Sequence, residues 1–263
     1  MFHVITEILV CILAGAGAGI GTGFAGLSAA AFIAPMLVAF LRVPVFDAVG
    51  IALASDVLAS AVSAAAYARE GNIDLKNGRL LMACVLTCTV LGSIAGFAVT
   101  TTETGDTVMG FWSILASFLL GIRFLIPSGK GKEKEKREPV GKSGLVFLFG
   151  AYIGIVCGFQ GAGGGLMMLF VLTSVMRFEY KKAVGTSVFI MSFTACIGAV
   201  SHFIMNGIPD PLLLSVCIVS TLVFARISAV AANRMQTETL HRITGCLLTG
   251  SGAVMLVVKC FLQ

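Results

Sequence analysis

"GFQGAGGGLMMLF" (residues 158–170) holds five glycines in its first eight residues and then runs apolar. A glycine-rich loop invites a nucleotide reading, and here that reading fails. A Walker loop requires GxxxxGK[ST]; "GKS" (141–143) supplies the tail, but Lys136 stands where the first glycine belongs. The dinucleotide fingerprint GxGxxG fails because Leu166 stands where the third glycine would follow Gly161 and Gly163, and no βαβ pattern surrounds it.

The composition around the stretch points elsewhere. The chain of 263 residues is 57% hydrophobic and 12% charged, about half the charged fraction of a soluble domain. Segments 108–122, 145–157, 212–224 and 246–258 contain no charged residue. A helix crossing a bilayer needs about 20 mostly apolar residues, so the expected class is an all-α polytopic membrane protein. The amino-terminal "MFHVITE" lacks the Lys or Arg of a signal-peptide n-region, so the first apolar run is read as part of the mature protein. The eight cysteines show no CxxC spacing and no histidine at a ligand interval. They read as small packing residues, with neither metal nor cofactor expected.

The glycines also belong to a repeat. At an offset of 135 residues, "GAGAGIGTGFAG" (15–26) falls on "GAYIGIVCGFQG" (150–161), and "LRVPVFDAVG" (41–50) on "MRFEYKKAVG" (176–185). Without gaps, 13 of 50 positions from Gly15 to Ala64 are identical to their counterparts. The mixed-charge stretch "KGKEKEKREPVGK" (130–142) separates the halves and reads as a solvated cytoplasmic loop rather than a nucleic-acid site. Three regions result: a membrane repeat over 1–127, a cytoplasmic linker over 128–143 and a second repeat over 144–263.

Each half shows the same order. An apolar run meets a small-residue break, and a short apolar run follows, 29–41 or 166–176. At 1.5 Å per residue the short run is about 16–20 Å long, too short for a bilayer core of about 30 Å. Each half is therefore expected to contain a broken, re-entrant hairpin and three transmembrane helices: about 46–68, 79–101 and 107–127, then 181–205, 211–232 and 241–262. Lys and Arg set the orientation. The linker, "AREGNIDLKNGR" (68–79), "RFEYKK" (177–182) and "NRMQTETLHR" (233–242) belong inside; "TTTETGD" (100–106) and "NGIPDP" (206–211) belong outside. These assignments agree if each hairpin returns to its starting side. The second half is then inverted and both termini lie outside, an arrangement recurrent in secondary transporters with midplane sites.

Two readings of the glycines remain. One is close helix packing. The other is an unwound break with free amides opening a half-helix at Gly164–Met167, whose N-terminal end attracts anions and which is tolerated only inside protein or beside a cavity.

The pattern resembles the TauE/SafE sulfite-exporter family. The resemblance is carried by "GAGGGLMMLFVL" followed by "AVGTSVF" (183–189), and by "GFAGLSAAAFIAPML" with Pro35 followed by "AVGIALASD" (48–56). It spans nearly the whole chain and implies movement of sulfite, organosulfonates or other small sulfur-containing anions, often outward. The chain departs from the family pattern at Ser28, Ala29 and Ala30, which replace the first glycine triplet, and at Ile51 and Ala52, which replace Thr-Ser.

The candidate substrate-binding residues are Gly23, Phe24, Ser28, Phe159, Gln160, Gly161, Gly163, Gly164, Gly165, Thr186 and Ser187. Asp56 lies deep in an apolar segment, where ionisable groups are costly and face protein or a water-filled path; it is either a proton carrier or a structural partner. Arg226 either snorkels to headgroups or attracts the anion. The partners expected are a small anion, the lipid bilayer and a coupling proton, and the place is the cytoplasmic membrane of a bacterium. An intramembrane serine hydrolase using Ser28 in "GLSA" and His202 is the remote alternative, because nucleophile and base must come within hydrogen-bond reach. A channel or a purely structural subunit is a third class.

Overall fold

The computed structural model describes residues 2–99, 143–160, 164–240, 242–243 and 245–246. Among these there is no strand. The helices are α1 (Phe2–Ala25), α2 (Ala30–Leu41), α3 (Val45–Arg69), α4 (Leu75–Val99), α5 (Ser143–Gln160), α6 (Gly164–Phe170), α7 (Tyr180–Asn206) and α8 (Pro211–Arg234); α6 continues into a π-helical turn, Val171–Val175. Five segments among the described residues are long and apolar enough to cross a membrane: Val4–Ala25, Asp47–Arg69, Leu75–Ile94, Tyr180–Met205 and Pro211–Arg234. The outer faces stay apolar, with Leu13, Leu91, Phe147, Leu148, Val219 and Ile227 exposed. Helices with apolar residues on all sides suit lipid, and the chain is an integral membrane protein. The expected linker, apart from Ser143, the 107–127 segment and nearly all of 241–262 lie outside the described residues.

Chain ends of the helices follow local chemistry. Asp210 caps α8, its Oδ1 accepting from the Leu212 amide at 2.8 Å, with Pro211 in the first turn. The short helices end alike in the two halves. Arg42 and Arg177, 135 residues apart, both have positive φ (54° and 57°). The amide that follows each reaches back to a leucine carbonyl: Val43 to Leu37 at 3.3 Å and Phe178 to Leu172 at 2.8 Å.

Packing crosses the halves. α1 lies along α8, with Gly15, Gly19 and Gly23 facing Ser220, Thr221 and Ser228 in ascending order. α5 lies along α4 in the same sense, with Gly150, Gly154 and Gly158 facing Cys84, Val85 and Thr89. Both pairs are therefore parallel, and glycine at every fourth residue lets the backbones approach. α3 and α7 run antiparallel: Gly50 meets Phe203, Leu53 meets Gly198, and Tyr67 meets Gly185. α2 folds back on α1, with Phe32 against Gly17 and Gly21.

Candidate functional site

The first break begins where α1 stops. Gly26 adopts φ +64°, and its amide bonds the Thr22 carbonyl at 2.9 Å, a left-handed cap that suits glycine. Three residues separate Gly26 from α2. Within them Ser28 makes two bonds: its hydroxyl donates to Asp56 Oδ2 at 2.7 Å, and its oxygen accepts from the Ala30 amide at 3.3 Å. The Ala29 amide also interacts with the carboxyl group. Asp56 is 1% exposed, and its Oδ1 has no hydrogen-bond partner among the described residues. No cation pairs with it among those residues.

The start of α6 meets the first break. Gly165, at the start of α6, lies against the Gly26 carbonyl and the Met191 sulfur. Gly164 packs on the Cys157 thiol. On the other side of Gly26 stand Ser187, Val184 and Val188 of α7. The junction is level with the middle of the long helices: Asp56 is the twelfth of the 25 residues of α3, and Met191 the twelfth of the 27 of α7. Buried Leu27, Leu166 and Met168 belong to the surrounding core.

The expected residues therefore divide. Ser28, Asp56, Gly164, Gly165 and Ser187 come together. Gly23 does not join them: its Cα packs on Ser228 and Ala229, and its carbonyl accepts from the Tyr67 hydroxyl at 2.9 Å. Thr186 turns to the α3–α4 connection, accepting from the Asp74 amide at 3.1 Å. Phe24 packs on the core. Arg226 is exposed on the same outer side of α8 as Val223, Ile227 and Val230, away from Asp56, so the geometry of α8 favours snorkelling over attraction of an anion at this junction. Gly161 and Gly163, and the side chains of Phe159 and Gln160, lie outside what is described. Two contributors went unread in the sequence, Cys157 and Met191. The repeat offset marks both, since they are the counterparts of Thr22 and Asp56.

The arrangement can hold a charge at mid-helix depth with hydroxyl, amide and carboxyl groups. It does not pair a serine with a histidine. Ser28 donates to Asp56, while His202 stands beside Gly50, almost two helical turns before Asp56 on α3.

The family described as "Sulfite exporter TauE/SafE" matches residues 11–255. A "Probable membrane transporter protein YdhB" of Bacillus subtilis (strain 168) is 26% identical over 220 residues, covering 82% of this chain and 87% of that protein. No solved structure matches. A match of that extent on a bundle of membrane-spanning helices decides the family: the chain belongs to the sulfite exporter TauE/SafE family of membrane transporters.

Proposed function

We propose that the protein is a secondary transporter that exports small sulfur-containing anions, sulfite or organosulfonates, through a site at the junction of its two helix breaks. The observation that carries this reading is the meeting of Gly26 and Gly165 beside a buried carboxyl group, halfway along α3 and α7. Broken helices near the midplane are where transporters bind substrate and coupling ions. The backbone amides at the start of α6 and the Ser187 hydroxyl, which here donates to the Val184 carbonyl at 2.9 Å, are the donors offered to an oxyanion, while Ser28 holds Asp56, the group that takes up the coupling proton. Moving one charge across 100 mV supplies about 2.3 kcal/mol, enough to drive export.

Two inverted repeats, 1–127 and 144–263 about the linker 128–143, are part of the same proposal. The antiparallel run of α3 and α7 supports the inversion, and the reciprocal α1–α8 and α4–α5 pairs and the matching caps at Arg42 and Arg177 support the repeat. No enzymatic step is proposed; the Ser28 hydroxyl donates to the Asp56 carboxyl at 2.7 Å and not to a histidine.

The test is flux in proteoliposomes with a panel of sulfite, organosulfonates and small carboxylates. Saturable uphill sulfite or sulfonate flux driven by a proton gradient is expected. Asp56→Asn is expected to bind substrate and lose the gradient-driven component. Absence of flux for every sulfur-containing anion would refute the substrate class, and unchanged coupling in Asp56→Asn would refute the role of the carboxyl.

A further inference from the structure

We propose that Asp56, whenever it is ionised, is a resident anion: its carboxylate fills, in the first break, the place that a transported anion takes in the second, so that each chain binds one substrate anion and not two. The inference rests on the reading of the second break given above.

The repeat register sets the comparison. Asp56 is the counterpart of Met191, and Ala30 is the counterpart of Gly165. Each long-helix side chain lies against its own break. A Cβ placed on Gly165 would come within 2.8 Å of Met191 Sδ, while Asp56 is held by Ser28 at 2.7 Å and by the Ala29 amide. One break thus faces a neutral thioether and keeps its glycines. The other faces a carboxyl group and has lost them.

The electrostatics give the exchange a reason. α2 has 12 residues and starts at Ala30, and such an end carries positive partial charge that favours an anion. A carboxylate buried to 1% exposure with no cation beside it among the described residues needs compensation from hydrogen bonds and dipoles. The start of α2 and the Ser28 hydroxyl provide it. The donors that a free anion would require in the first break are therefore already engaged. The unpartnered Oδ1 adds a further acceptor where a second anion would need donors. The substitution of the glycine triplet by Ser28, Ala29 and Ala30 is then no loss of the motif. It fits a break whose anion arrives on α3 and needs no wide approach.

The decisive experiment is chemical replacement of the carboxylate, using the full chain in detergent. Asp56→Ala removes the carboxylate and leaves space of its size. Its thermal unfolding temperature is expected to fall and to be restored saturably by formate, with no such response to gluconate at equal ionic strength. Wild type and Asp56→Asn are expected not to respond, because their sites are filled. Asp56→Gly serves in the same role if the alanine variant does not fold. The reciprocal change, Met191→Asp, puts a carboxylate in the second break and is expected to bind radiolabelled sulfite at least roughly tenfold more weakly than Met191→Asn, a difference read directly as a ratio of Kd. If formate leaves the alanine and glycine variants unaltered, or if Met191→Asp binds sulfite as Met191→Asn does, the proposal is overturned. A wild type that binds no sulfite refutes the substrate assignment alone, and the formate response still decides the role of Asp56.

Discussion

At Gly165 one added methyl group has nowhere to go. The atom it would meet is the Gly26 carbonyl, a backbone group fixed by the cap at the end of α1, so no side-chain rotation relieves the collision. Gly165→Ala is expected to cost about 1–3 kcal/mol, the usual range for overpacking, and to abolish flux. Gly144→Ala, where nothing lies within 4 Å, is the matched control and is expected to leave thermal unfolding unchanged. Ser28 makes the complementary case, since its hydroxyl joins the carboxyl of Asp56 to the amide of Ala30. Ser28→Ala is expected to lower stability by about 1–3 kcal/mol, because a buried acceptor loses its donor; an unfolding midpoint equal to wild type would contradict it. Asp56 was legible from sequence as a charge in an apolar segment. Its partner was not, because Ser28 is 28 positions away and only the fold-back of α2 brings it near. Arg226 was ambiguous for the same reason: one helical face of α8 decides between lipid and site, and a single sequence gives no partner for that face.

Among the helices, the spacing of the glycines separates two functions that composition blends. Gly15, Gly19 and Gly23, and their counterparts Gly150, Gly154 and Gly158, recur every four residues and face a neighbouring helix. Gly26, which caps the end of α1, and Gly164 and Gly165, which open α6, depart from that period. The packing reading of the glycine-rich stretch therefore holds for Gly158, which meets Thr89 and Ser93, and the anion-binding reading of Gly164 and Gly165 belongs to the proposed function. What sequence withheld was the partner, because each glycine face packs on a helix of the other half. At Gly154 a side chain would strike the Val85 carbonyl, the Cys88 side chain and the Thr89 amide. Gly154→Val is thus expected to separate α4 from α5 and to reduce the folded, monodisperse fraction in size-exclusion chromatography several-fold. Gly144→Val, on the same helix and in open space, is expected to behave as wild type. An equal yield from both variants would mean that the close approach contributes nothing.

For the bundle as a whole, the polar contacts between α7, α8 and the α3–α4 connection gather at one end, the end rich in Lys and Arg. Asn72 donates to the Asn233 side chain at 2.7 Å, Lys181 donates to the Asn233 carbonyl at 2.7 Å, and the Asp74 amide donates to Thr186 at 3.1 Å. On the proposed route through the junction of the breaks each side opens in turn, and opening this side means parting these elements. A single hydrogen bond contributes about 0.5–1.5 kcal/mol net, so the clasp is strong enough to bias the equilibrium and weak enough to release. Removing one bond worth about 1 kcal/mol shifts a two-state population about fivefold. Cys157 reports on the shift, since it is 9% exposed and lies beside Gly164 at the start of α6. In a variant retaining Cys157 as its one cysteine, Asn233→Ala is expected to raise alkylation by an impermeant maleimide several-fold when the reagent is added at the Lys- and Arg-rich side. The rate from the opposite side is expected to fall or stay level, because a population moved toward one opening is withdrawn from the other. Equal acceleration from both sides would indicate general loosening of the bundle, and no acceleration from either would show that the clasp does not hold this end closed.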